Sequence, residues 1–197
     1  MGSIPNATPN GVINGTTTTM ADALSLELVA KHLVTDQIVI NLHYDAGNIK
    51  DETEYNGKIT IDFYGRKVPK QAHGSTNLKR HTSSTKYIIN ATASLFDSIV
   101  DTNLLIRKLS IVANHVINEN DAHKQIQSSQ LDLFSDEDFF TPKDETEQKQ
   151  EQKERSIQET ILTIKEKFGK NAILKGLNYE EGATAKERNK QIGGHKA

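Results

Sequence analysis

The chain has 197 residues, 35% hydrophobic and 25% charged, with a formal net charge of -2. That length holds one ordinary domain plus extensions, and the low apolar share predicts one modest core with much exposed chain. No cysteine is present, so a disulfide framework and a thiolate metal site are excluded, which suits a cytoplasmic location. No apolar run approaches the roughly 20 residues that span a bilayer, and no membrane partner is expected. Residues 1–19 lack the basic and apolar regions of a signal peptide.

Charge is spread unevenly. Residues 58–115 hold nine Lys/Arg and three Asp/Glu, whereas residues 119–160 hold five Lys/Arg and twelve Asp/Glu. Residues 165–197 are again basic, with eight Lys/Arg against four Asp/Glu. A basic domain, an acidic connector and a basic end suit a polyanionic partner, although a solvated surface has the same composition.

Residues 1–19 are rich in Asn, Gly, Thr and Pro and are expected to be a disordered segment. Residues 20–118 are expected to form the folded domain. Leu24, Leu28 and either Val29 or Leu33 recur at helical spacing, which predicts a helix over about 20–33. Residues 37–44 alternate, with Ile38, Ile40 and Leu42 on one face and Val39 and Asn41 on the other. Residues 45–56 read as a polar loop. A second alternating run covers 58–63, is interrupted through Pro69, and resumes as an extended stretch over 71–80. Thr82, Ser83, Ser84 and Thr85 supply a helix N-cap. The helix they open carries Ile88, Ala91, Leu95 and Ile99 and ends near Asp101. Residues 104–116 form a last strand with Leu105, Arg107, Leu109 and Ile111 on one face. This order predicts an α+β domain in which an antiparallel sheet of three to four strands is covered by two helices on one face. The other face must then be polar, and Lys70, Asn77, Lys79 and Arg107 are candidates for it.

Beyond Asn118 the chain turns acidic, and residues 119–155 read as a linker. It contains one short apolar cluster, Leu131, Leu133 and Phe134, followed by Phe139 and Phe140. Ile157, Ile161, Ile164 and Phe168 predict a short helix over 156–168, ended by Gly169. The rest, to residue 197, is expected to be a loose basic tail.

Three stretches carry a resemblance. They are Leu33-Val34-Thr35-Asp36-Gln37-Ile38-Val39 with Tyr44-Asp45, then Asp62-Phe63-Tyr64-Gly65-Arg66-Lys67-Val68-Pro69-Lys70 running on through His73-Gly74-Ser75-Thr76-Asn77-Leu78 to Thr82-Ser83-Ser84-Thr85, and last Gln130-Leu131-Asp132-Leu133-Phe134. Together they resemble the C-terminal half of Y-family (UmuC/DinB-type) lesion-bypass DNA polymerases of Gram-positive bacteria. The resemblance spans about residues 20–197. It implies a little-finger domain, and a four-stranded sheet whose first strand is missing here or replaced by Gly11-Val12-Ile13. It also implies that the palm, fingers and thumb, with the carboxylates that bind magnesium, lie outside this chain. No cofactor is then expected for these residues alone.

The same resemblance implies two binding surfaces. A little finger lays its open sheet on primer-template duplex and grips phosphates, for which Arg66, Lys67, Lys70, Lys79, Arg80, Arg107 and Lys108 are candidates. Thr82, Ser83 and Ser84 open a helix, whose N–H groups suit phosphate, though they equally serve as ordinary caps. Residues 130–134 resemble the peptide that docks on the bacterial β sliding clamp. Gln130 anchors by its amide, Leu131, Leu133 and Phe134 fill an apolar cleft, and Asp132 takes the small or acidic position. Metal chemistry is not expected: no two of the seven histidines have ligand spacing with acidic companions. Three functions remain open on this reading. The chain is a DNA- and clamp-binding module, a subunit whose catalytic palm is on another chain, or a regulator that occupies the clamp.

Overall fold

The computed structural model describes residues 9–49, 55–122, 142–174, 176, 186, 189–192 and 195–196. Helix α1 (Pro9–Ala30) leads into strand β1 (Leu33–Tyr44), and a hairpin of β2 (Ile59–Ile61) and β3 (Lys67–Pro69) follows. Strand β4 (Ala72–Thr82), helix α2 (Thr85–Ile99), strand β5 (Ile106–Asn114) and the short β6 (Ile117–Asn118) complete the domain. Helix α3 (Pro142–Phe168) and a two-residue ladder of β7 (Gln191–Ile192) with β8 (His195–Lys196) lie beyond it.

The sheet runs β4-β1-β5, with both neighbours antiparallel to β1. β6 continues the edge beside β1 by pairing with Leu33 and Val34, after a turn in which His115 takes a φ of 49°. The alternation of β1 sets the layers. Ile38, Ile40 and Leu42 are fully buried beneath the helices. Opposite them stand Thr76, Gly74 and Ala72 of β4 and Ala113, Ile111 and Leu109 of β5. Ile40, Leu42, Tyr44, Leu95, Phe96 and Ile106 form one end of the core. Ala21, Leu28, Ile38 and Ile88 form the other. Each such Ile or Leu contributes about 1.5–3 kcal/mol by leaving water. Gly74 matters here because a Cβ would stand 2.9 Å from both Leu95 and Ile99, so α2 lies close against β4 at that point. The α+β fold with two helices on one face is as the alternation and the helical stripes predict.

Several boundaries differ from expectation. Residues 9–19, expected to be disordered, are the first turns of α1, and Gly11-Val12-Ile13 is helical rather than a substitute strand. Thr17, Thr19 and Ala21 are buried, and Thr19 donates its hydroxyl to the Thr16 carbonyl at 2.9 Å. Threonine has poor intrinsic helix propensity, so composition points away from a helix that tertiary burial stabilises. The helix ends at Ala30, not at 33, because His32 adopts a φ of 54° and Leu33 enters β1.

α3 is the larger correction. It begins at Pro142, inside the segment expected to be linker. Its first half is mostly Glu, Gln and Lys, good helix formers without an apolar stripe, so periodicity finds only the second half. The stripe docks only in part: Ile157 and Phe168 are exposed and Ile161 and Ile164 half-buried, whereas Gln158 is 4% exposed. Gln158 Nε2 donates to Thr85 Oγ1 at 2.8 Å and to the Ser83 carbonyl at 3.1 Å. Thr85 Oγ1 lies 2.7 Å from Ser25 Oγ, and Ser25 donates to the Asp22 carbonyl at 2.8 Å. With Ser25's proton used there, Thr85 must donate to Ser25. One directed chain of hydrogen bonds thus ties α3, α2 and α1 together and leaves none of these buried groups unmade. Gly169 ends α3 as expected, with a φ of 95° and its N–H bonded to the Lys165 carbonyl. In the tail, Asn189 donates to Asn171 at 2.8 Å, next to the end of α3.

Candidate nucleic-acid interface

The face of the sheet away from the helices is built in rows across three strands. Register sets Asn77, Gln37 and Asn114 side by side, then Ser75, Val39 and Val112, then His73, Asn41 and Ser110. His43 stands opposite Lys108 in the next row. The first row is a ladder of amides, with Asn114 Nδ2 donating to Gln37 Oε1 at 3.0 Å and Gln37 Nε2 to Asn77 Oδ1 at 2.8 Å. In the third, His73 Nδ1 meets Asn41 Oδ1 at 2.7 Å. These bonds orient the side chains, so the face offers fixed donors rather than a mobile fringe. Lys79 continues the exposed alternation of β4, and Lys108 is exposed on β5.

The ten candidate contacts separate into three groups. Lys79 and Lys108 belong to the open face, with Arg107 beside it. Arg107 is the extra residue of a β-bulge: Tyr44 pairs with Ile106 and His43 with Lys108, leaving Arg107 between. The bulge also breaks the predicted alternation of β5, so Ile106 rather than Leu105 enters the core, and Leu105 is 51% exposed.

Arg66, Lys67 and Lys70 form the second group, on the β2–β3 hairpin. Asp62 organises its tip by accepting from the N–H groups of Tyr64 and Arg66, both at 2.9 Å. It also receives the Arg66 guanidinium in two-pronged fashion, at 2.9 and 2.6 Å. Gly65, with a φ of 75°, makes the turn. Arg107 Nη1 lies 3.8 Å from the same carboxylate and joins the hairpin to the sheet edge. The side-chain bond from Arg66 holds the Asp62 carboxyl below the ordinary aspartate range, and Arg66 is raised in return. A lowered folded pKa stabilises the tip fully above the unfolded value of about 4 and loses that stabilisation as pH falls through the folded value. The tip is therefore expected to keep its order on acidification until below about pH 4, and Asp62→Asn to remove this dependence. Amide chemical shifts of Tyr64 and Arg66 followed against pH check this. Identical titrations in parent and variant would show that Asp62 does not hold the tip.

Arg80, Thr82, Ser83 and Ser84 form the third group, on the helix side. Arg80 pairs with Glu151 of α3 and lies over the Tyr87 ring at 5.7 Å. Ser84 is the N-cap of α2 and donates to Glu154 Oε2 at 2.6 Å, while the Lys86 N–H meets Glu154 Oε1 at 3.0 Å. Ser83 Oγ accepts from Arg155 at 3.2 Å, and Thr82 Oγ1 accepts from the Ser84 N–H at 3.0 Å. A carboxylate thus stands at the turn expected to hold a phosphate, and a phosphate reaches it only by displacing Glu154. Sequence reading missed this because the partner lies 70 residues away, in a segment read as linker.

Gln130, Leu131, Asp132, Leu133 and Phe134 lie outside the described residues, as do Phe139 and Phe140. Among the described residues, no group of three His, Asp or Glu gathers as a metal site. No described helix is long and apolar enough to cross a membrane.

A helix-backed antiparallel sheet with a polar, partly basic open face defines a small α+β domain of the little-finger type. Residues 11–129 match the impB/mucB/samB family C-terminal domain, and the chain belongs to that family, carrying a Y-family polymerase C-terminal domain. It is also 27% identical over 137 residues to DNA polymerase IV 2 of Halalkalibacterium halodurans. That match covers 70% of this chain and 28% of the relative, so the chain spans under a third of that protein.

Proposed function

We propose that these residues hold duplex DNA and tether a lesion-bypass polymerase to the β sliding clamp, while the polymerase chemistry resides in a catalytic palm outside this chain. The observation that carries the DNA reading is the open face. Its amide and imidazole groups are fixed by cross-strand bonds, and lysines stand at opposite ends, Lys79 on β4 and Lys108 on β5. Such a surface contacts backbone phosphates without reading sequence. Arg107, Lys70, Lys67 and Arg66 extend it along the hairpin edge. The family and the polymerase relative support DNA as the partner. The clamp peptide at 130–134 adds a second attachment on the same chain. Two weak contacts joined by a linker strengthen each other through effective concentration.

The test is duplex affinity against salt, read by fluorescence anisotropy. Lys79→Ala/Lys108→Ala is expected to weaken binding about tenfold at low salt and to reduce the salt slope by about 2. Arg80→Ala, whose guanidinium is engaged by Glu151, serves as the comparison and should change affinity less. A double variant with the parent's affinity and slope would remove the sheet face from the interface. Nucleotide incorporation by the purified chain in primer extension would overturn the non-catalytic assignment.

A further inference from the structure

The β2–β3 hairpin carries three side chains at its tip that stand exposed among the described residues. Phe63 is 97% exposed, Ile61 72% and Tyr64 71%. The two rings stand edge to face with centroids 5.5 Å apart, and the Arg66 guanidinium lies 5.2 Å from the Tyr64 ring centre. Exposure of this kind in a mobile loop would mean little. This tip is held: Asp62 takes two backbone N–H groups and the Arg66 fork, and the Gly65 N–H bonds back to the Asp62 carbonyl at 3.0 Å. Aromatic groups fixed in advance lose little entropy when a partner arrives.

The surroundings decide what that partner is. Residues 58–70 carry four Lys/Arg and one Asp. The tip carboxylate is linked to Arg107, which precedes Lys108 at the corner of the open face. A ring pair amid cations, continuous with a phosphate-binding face, suits a group that is both aromatic and anionic. Unpaired nucleotides have that chemistry, because their bases stack on aromatic side chains while the backbone meets Lys and Arg. Paired bases inside a duplex keep their faces occupied by one another.

We propose that the hairpin tip stacks on unpaired DNA bases, through Phe63 and Tyr64, at the edge of a duplex held on the sheet. The proposal rests on the DNA-binding reading of the open face. It makes the domain a reader of the boundary between duplex and single strand rather than of duplex alone.

The chain has no tryptophan, so Phe63→Trp places a lone indole at the tip. Its emission would be followed as the full chain is titrated with a blunt duplex, and with the same duplex carrying a single-stranded overhang. Anisotropy would report binding in parallel. The expected result is quenching by the overhang DNA and little by the blunt duplex. Phe63→Ala/Tyr64→Ala should then bind overhang DNA about tenfold more weakly and blunt duplex unchanged. Circular dichroism of both variants should match the parent, since neither position is in the core. Binding of overhang DNA without quenching, or with equal loss on both DNAs, would overturn the proposal and leave the sheet face standing. No binding to either DNA by the parent chain would overturn both. An emission shift that depends on protein concentration without DNA would assign the tip to a second copy of the chain and equally overturn it.

Discussion

Replacing Gln130, Leu133 and Phe134 together by alanine is expected to reduce affinity for a β sliding clamp at least about 100-fold. Anchors that fill a partner's pocket each contribute about 2 kcal/mol or more, and a short peptide has few of them. Gln130 offers both amide donor and acceptor, and Leu133 and Phe134 supply adjacent apolar bulk at its far end. Affinity measured by surface plasmon resonance, with immobilised clamp and both chains, gives the comparison. DNA affinity of the triple variant should equal the parent's, because the open face is built from other residues. Unchanged clamp binding would place the tether elsewhere. It would also weaken the proposal that the two attachments act together.

Ile40→Ala is expected to destabilise the domain by about 2–5 kcal/mol, the range for large-to-small changes in a well-packed core. Ile40 is fully buried at the middle of the central strand and stands between Gly74 and Ile111 in register. Its side chain packs in the cluster of Leu42, Tyr44, Leu95, Phe96 and Ile106. Both neighbouring strands and α2 limit how far the site collapses into the space left. Set against a total stability of about 5–15 kcal/mol for a typical domain, that loss is large. Urea denaturation followed by circular dichroism measures it, with a lower midpoint and an unchanged slope expected. Ile61→Ala is the matched control, because Ile61 is 72% exposed and should cost no more than about 0.5 kcal/mol. Equal costs for the two would mean that the face beneath the helices is not the core.

The open sheet face and the core share β1, which allows function and stability to be varied separately. Ile38, Ile40 and Leu42 point to the helices, and Gln37, Asn41 and His43 to the other side. Substitutions at the second set change the proposed interface while leaving the packed layer intact. The helix side is less independent. Glu151, Glu154, Arg155 and Gln158 bind α3 to the start of α2. A charge change at Arg80 or Ser84 therefore alters the docking of α3 as well as any contact with DNA.

The alternation of β1 and the stripe of α2 are enough by themselves to determine the helix-backed antiparallel sheet. Period-2 and period-3.6 patterns report directly which face is buried. Ser84 as a cap and Gly169 as a stop are equally local, because each acts on backbone groups within a few residues. The basic candidates were legible as a set, since charge is a property of composition. Their division into three places was not. A bulge at Arg107 and the Glu151 and Glu154 carboxylates of α3 decide it, and none of these leaves a periodic trace. The polar α1 start and the polar docking face of α3 belong with them. Their helical form depends on burial by, and hydrogen bonds to, residues distant in sequence, as in the chain from Gln158 through Thr85 to Ser25. Local pattern reports which side chains avoid water; only tertiary structure decides which polar groups find one another.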